Sequence, residues 1–398
     1  MMPSPRSFKA TLGRRYQQGL SLLEVMVAMG IGLLLIAGVT QLFIGSNQNF
    51  VVKESVSRMQ EDVRFAMDQF QRDMRMAGFR GCTRDLTDHL NPAGTQFEEF
   101  LLGSTPVFGW EYSSTSGGSN PGSQLRLRAL EADSVTHSWG AGPVGAAPSL
   151  AILPGGAAFF ANVQPGSDMF VVSLGEVHNV PVTGANLAVN PGLNLAAGSQ
   201  LPVTQGGIVI VNSGDCATAD RFQRTNEPGD GNFVARANGF GNPSNQATTN
   251  LFSTNYDDGN ATLVEYRSWL YFIRPTAEGP ELARRQIGPG TAGLPIETVV
   301  QGVENMQVLY GVSTGGLNNR VNQYVTAEDV TDWGDVMSLR IALLLRTMDP
   351  VNPDTNFRSY NLLGTEIFPS GVTRDDVDGD RFIRLVATTT VGLRNKLE

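Results

Sequence analysis

From Leu20 to Ile44 the chain reads LSLLEVMVAMGIGLLLIAGVTQLFI, 25 residues whose only charge is Glu24. At about 1.5 Å of rise per residue, a helix of this length crosses a hydrocarbon core. The preceding stretch, MMPSPRSFKATLGRRYQQG, holds Arg6, Lys9, Arg14 and Arg15 and no acid. That bias places the basic flank in the cytoplasm. A secretory signal peptide also starts basic and turns apolar, but its apolar run is shorter and closes on an A-x-A-like site, which this run lacks. A carboxylate inside a spanning helix costs several kcal/mol unless it is paired, which makes Glu24 a functional candidate.

The order of these features carries a resemblance. Gly19-Leu20-Ser21-Leu22-Leu23-Glu24, after a short basic leader and before an apolar helix, resembles the class III signal of type IV prepilins and pseudopilins. The resemblance implies cleavage between Gly19 and Leu20 by the prepilin peptidase and N-methylation of Leu20. Glu24 would then be the fifth residue of the mature chain. Loss of the leader, with four bases and no acid, takes the net charge from -9 to -13. In a filament of laterally packed helices a buried carboxylate is tolerable opposite a cation. The family reading is that Glu24 attracts the N-terminal amine of a neighbouring subunit and sets axial register. On the residues alone, snorkelling of Glu24 to the headgroups stays open. Major pilins commonly carry a proline in this helix and this chain has none there. Gly30, Gly32, Gly38 and Gly45 either loosen the helix or let neighbouring helices approach closely.

The helical pattern continues past the apolar run. Val56, Met59, Val63, Ala66, Met67, Phe70 and Met74 recur at three- and four-residue steps and form one apolar stripe. No proline interrupts residues 20–78, and Gly78 is a natural stop. The expectation is one rod of roughly 55 residues, its part 20–44 in lipid and its part 45–78 lying on a soluble domain. Residues 79–255 are rich in Gly, Ser, Asn and Pro, with short apolar bursts at Leu125–Leu130, Met169–Leu174 and Gly207–Val211 that read as strands. Residues 256–398 show clearer strands, at Thr262–Arg274, Val303–Val312, Asp335–Arg346 and Arg381–Arg394. In the third, Leu339, Ile341, Leu343 and Leu345 fall on one face. A long N-terminal helix packed on an antiparallel β-sheet with large loop-rich insertions gives an α+β, pilin-like fold.

The segments GVENMQVLYGV (302–312), YVTAEDVTDWGDVMSLRIALLLRT (324–347) and FIRLVATTTVGLRN (382–395) resemble the C-terminal region of PilW-type minor pilins, as do AGFRGC (77–82) and IVIVNSGDCATADRFQ (208–223). This implies a minor pilin that primes type IV pilus assembly, supports twitching motility and sits in a tip-associated complex. The implied partners are other minor pilins, a tip-associated protein, the prepilin peptidase, the inner-membrane assembly machinery and membrane lipid. The implied location is the inner membrane, with the C-terminal part periplasmic, and then the surface pilus. Two other readings stand beside it: a minor pseudopilin of type II secretion, and a membrane-tethered adhesin drawing on Trp110, Trp139, Trp269 and Trp333.

Cys82 and Cys216 are the only thiols. A single well-separated pair in a domain delivered beyond the inner membrane reads as one disulfide, worth at most roughly 4–5 kcal/mol by chain entropy. Two buried reduced thiols are the alternative.

Catalytic signatures are weak. Gly311-Val312-Ser313-Thr314-Gly315 satisfies G-x-S-x-G, but a turn follows where a nucleophile elbow needs a helix. Gly288-Pro289-Gly290-Thr291-Ala292-Gly293 fits G-x-G-x-x-G, but Pro295 follows at once and no helix opens. Asp376, Asp378 and Asp380, in RDDVDGDR, are weak calcium candidates, since the glycine is misplaced and Ala387 stands where a bidentate Glu is required. His89, His137 and His178 are dispersed along the chain. Two cysteines exclude a Cys-rich zinc or iron–sulfur site, and an excess of 38 acids over 29 bases gives no general affinity for nucleic acid. The expectation is a protein that is not an enzyme and uses no cofactor.

Overall fold

The computed structural model describes residues 21–83, 85–91, 105–114, 121–130, 136–140, 156–186, 191–237, 244–246, 252–288, 294–314, 320–369 and 380–395. The chain divides into two compact units, residues 1–54 and 55–398. One helix, Leu22–Met76, supplies the described elements of the first unit and continues into the second. Its 55 residues match the rod expected from the periodicity. It ends where expected: Gly78 has φ +74°, a left-handed conformation that costs glycine nothing.

In the second unit, Met59, Ala66, Phe70 and Met74 are buried, so the apolar stripe is the face packed on the core. Phe70 meets Phe170 and Tyr271 edge-on, with ring centroids 5.7 and 5.3 Å away. Those two rings lie on neighbouring strands of a nine-stranded sheet. Its main path runs Leu86–Asp88, Ala219–Gln223, Ile208–Asn212, Thr262–Arg274, Met169–His178, Val107–Ser114, His137–Gly140. The first pair is parallel and the others are antiparallel.

The strand Thr262–Arg274 changes neighbour along one edge. Residues 262–266 pair with Ile208–Asn212, whereas residues 268–274 pair with Glu281–Ile287. Arg267 stands at the changeover, where the sheet opens. The sheet therefore draws its strands from both sides of residue 256.

A second, antiparallel sheet has the order Gln323–Val325, Val303–Val312, Val336–Arg346, Arg384–Gly392. Leu339, Ile341, Leu343 and Leu345 are buried on one face as the alternation predicts, but Ala342 and Leu344 are buried on the other. The strand is covered on both sides. Asp168 ties this sheet to the larger one: Oδ1 accepts from the Tyr112 amide at 3.2 Å and Oδ2 from the Val308 amide at 2.9 Å.

Several boundaries move. Leu125–Leu130 is a strand, Gln124–Arg126, followed by one helical turn, Leu127–Leu130. The strand lies parallel to Thr365–Phe368, so the β-structure is mixed rather than wholly antiparallel. Met169–Leu174 extends to His178 because Thr262–Arg274 offers it a partner as far as Leu263. The third C-terminal strand starts at Val336, because Asp332 accepts from the Gly334 amide and caps a turn over Trp333–Asp335.

Candidate functional site

Ser21 stands immediately before the long helix, and its Oγ accepts from the Glu24 amide at 3.2 Å. Its carbonyl accepts from the Val25 amide, also at 3.2 Å. This is an N-cap, with a glutamate three residues later, the S-x-x-E arrangement that satisfies otherwise orphaned amides at a helix start. Glu24 thus sits in the first turn, where the helix dipole favours negative charge. The sequence signal for this cap is the S-x-x-E spacing of Ser21 and Glu24 just before the apolar run. Gly19 and Leu20, the expected cleavage and methylation site, lie outside the described residues.

Among the described residues nothing buries the apolar stretch of helix that follows Glu24. The most apolar stretch of the helix is long and apolar enough to cross a membrane, and none of it is buried. Leu22, Leu23, Met26, Leu33, Leu34 and Leu35 are among its exposed side chains. At Gly30, Gly32, Gly38 and Gly45 an added Cβ would meet nothing within 4 Å. So much apolar surface is stable in lipid or against other apolar helices.

The cysteines do meet. Cys82 and Cys216 form a disulfide with Cα atoms 5.5 Å apart, tying the segment just after the helix to the turn before Ala219–Gln223. Of the calcium candidates, Asp376 and Asp378 lie outside the described residues, and Asp380 accepts from Arg384 Nη1 at 2.7 Å. Its carboxylate is engaged by a guanidinium. The three histidines stay apart, His89 with Asp220, His137 with Tyr112 and His178 with Glu265. The four tryptophans are at most 8% exposed, so they are core residues and not platforms for a sugar. Gly315 and residues 289–293 of the two glycine motifs lie outside the described residues.

An apolar helix with a glutamate in its capped first turn, exposed among the described residues and followed by β-sheets, has the layout of a pilin-like protein. Two family models match the chain. That of the prokaryotic N-terminal methylation motif covers residues 14–40, and that of type IV pilus-assembly protein W covers residues 270–395. The first covers the end of the expected leader (residues 14–19), Glu24 and the first part of the helix. The second runs from the middle of Thr262–Arg274 through the four-stranded sheet to Asn395. Together the two matches support a type IV pilus-related pilin whose residues 270–395 are similar to the PilW type. No curated protein and no solved structure matches it.

Proposed function

We propose that this chain is a minor pilin that primes type IV pilus assembly and sits in a tip-associated complex with other minor pilins. The observation that carries the reading is the placement of Glu24: a carboxylate in the first turn of a helix whose apolar stretch is exposed among the described residues. Cleavage between Gly19 and Leu20 would create an α-amine four residues from that carboxylate. In the absence of water, the carboxylate of one subunit and the amine of the next satisfy each other. Before assembly the helix anchors the protein in the inner membrane with the sheet domain in the periplasm, consistent with the basic leader. Lateral packing of apolar helices then transfers it to the fibre. The PilW-type match over residues 270–395 favours a pilus over a type II secretion role, and the buried tryptophans weaken the adhesin reading.

The test pairs mass spectrometry of the mature N-terminus with a piliation assay. A chain starting at methyl-Leu20, and a Glu24→Ala variant that is processed normally but restores neither surface pili nor twitching to a deletion strain, are the expected results. Retention of residues 1–19, or full piliation by the variant, overturns the proposal. Recovery of the protein from periplasmic secretion complexes and never from sheared pili would transfer it to type II secretion.

A further inference from the structure

One face of the nine-stranded sheet carries polar side chains where Thr262–Arg274 and Met169–His178 pair. Glu265 stands directly opposite Glu176 in the register, and His178, two residues beyond Glu176, projects on the same side. Two carboxylates directly opposite each other repel. Arg267 relieves this: Nη1 lies 2.7 Å from Glu176 Oε2 and Nη2 lies 2.6 Å from Glu265 Oε2. His178 Nε2 lies 3.0 Å from the same Glu265 oxygen. None of these contacts uses an Oε1 atom.

Glu176, His178 and Glu265 each offer one ligand atom, and the three atoms lie within 4.8 Å of one another. Ligands held at about 2.0–2.2 Å around a tetrahedral zinc ion lie roughly 3.3–3.6 Å apart. Closing the difference takes a side-chain movement on the order of 1 Å. The Glu176 side chain, 49% exposed, is free to make it, while Glu265 at 5% is a fixed anchor. Two carboxylates stand against one guanidinium in the cluster. Glu265 and Arg267 also line a groove of about 320 Å³, and the Glu176 side chain is itself half exposed to solvent.

We propose that Glu176, His178 and Glu265 form a binding site for a divalent transition-metal ion, Zn²⁺ by its donor set, with a fourth position open to solvent. One imidazole and two carboxylates suit zinc, whereas calcium and magnesium favour shells made of oxygen alone. Binding moves the His178 nitrogen from Glu265 to the ion. Arg267 stays on the Oε2 atoms and orients both carboxylates from outside the coordination shell, as partners of metal ligands commonly do.

The chain's two cysteines and its other two histidines are engaged elsewhere. Both cysteines are in the disulfide, His89 is buried against Asp220, and His137 is bonded to Tyr112. Calorimetric titration of the detergent-solubilised full chain with ZnCl₂ at neutral pH is expected to show one ion per chain. His178→Gln and Glu176→Gln should each weaken uptake by about tenfold or more. Excess CaCl₂ should not displace the zinc, and Co²⁺ should give visible d–d absorption in the wild type and lose it in His178→Gln. Because Glu176 is half exposed, its variant tests the site without threatening the fold. No uptake by the wild type, uptake unchanged in both variants, or displacement by calcium at equal concentration overturns the proposal.

Discussion

Tyr271 donates its hydroxyl proton to Asp73 Oδ2, joining the middle of the large sheet to the long helix across 198 residues of sequence. Asp73 is only 6% exposed. Gln69 Nε2 reaches its other oxygen at 3.0 Å, and Arg284 Nη1 approaches Oδ2 at 3.5 Å. Arg284 in turn lies 4.1 Å above the Trp269 ring and bonds Glu297 through Nε at 2.8 Å. The apolar stripe brings the helix onto the sheet, but apolar contact is indifferent to sliding. The carboxylate, fixed at one height on the helix, specifies where it stops.

Asp73→Ala should therefore cost more than its size suggests. It leaves the Tyr271 hydroxyl buried without its acceptor, and a hydrogen bond to a charged group contributes about 1.5–3 kcal/mol. Tyr271→Phe should cost less, since Gln69 and Arg284 still serve Asp73. Denaturant melts of the two variants and of the double variant give the coupling energy. Strictly additive losses would show that the pair does not hold the helix.

Alkaline pH should loosen the same contact. Burial, and the Asp73 carboxylate beside it, push the Tyr271 phenol well above its ordinary pKa, and burial together with Asp220 does the same to Tyr256. A phenol whose pKa is raised by folding holds its proton where the unfolded chain has released it. Its contribution is complete below the unfolded value, about pH 10, and is lost as pH rises beyond it. Each such phenol lowers stability by up to about 1.4 kcal/mol per pH unit in that range. Melting temperature followed from pH 8 to 11 (roughly one unit either side of the phenol range) should fall steeply only at the top. Tyr271→Phe should flatten that fall.

A second buried charge predicts a larger single-site loss. Arg384, 1% exposed at its side chain, bonds Glu304 through Nε at 2.6 Å and through Nη2 at 2.9 Å, and Asp380 through Nη1 at 2.7 Å. Removing it leaves Glu304, 8% exposed, with only the longer 3.3 Å contact to Arg346. Breaking a buried pair from one side costs about 3–5 kcal/mol. Arg384→Ala should lose that much in thermal or denaturant unfolding, and Arg384→Lys should rescue little, since an ammonium cannot serve both carboxylates through a planar fork. A loss below about 1 kcal/mol, the worth of an exposed pair, would contradict this account.

How much of this was legible in the sequence depends on how local the cause is. The strands Thr262–Arg274 and Val303–Val312 were readable to the residue, because alternating or continuous apolar positions bounded by turn residues specify a strand without reference to the rest of the fold. The helix was equally plain from its stripe and from Gly78. Asp73 was not, since a carboxylate between Arg72 and Met74 looks like one more charge on the solvated face until Tyr271 arrives from the sheet. The same holds for Glu176, His178 and Glu265, which only the register of two strands brings together.

The disulfide links local and distant causes, and its removal should separate them. Cys82 lies just past the helix, where Asn212 Nδ2 already holds the Arg80 carbonyl at 3.1 Å. Cys216 sits in a turn that Ser213 and Asp215 maintain by themselves: Ser213 Oγ accepts from the Thr218 amide at 3.0 Å, and Asp215 Oδ1 accepts from the Ala217 amide at 3.0 Å. Both ends are positioned by hydrogen bonds, so the native arrangement should survive reduction. The loss falls on the unfolded chain, which regains the freedom of a loop with a sequence separation of 134. Chain entropy sets the ceiling for such a loop at about 5 kcal/mol, and removing native disulfides typically costs about 2–5 kcal/mol. The Cys82→Ser, Cys216→Ser double variant should keep its far-ultraviolet dichroism and lose stability in that range. Wild type treated with a reductant should melt at the same temperature as the variant. A reductant that leaves the wild-type melt unchanged, with both thiols shown free by alkylation, would mean that the bond does not stabilise the fold.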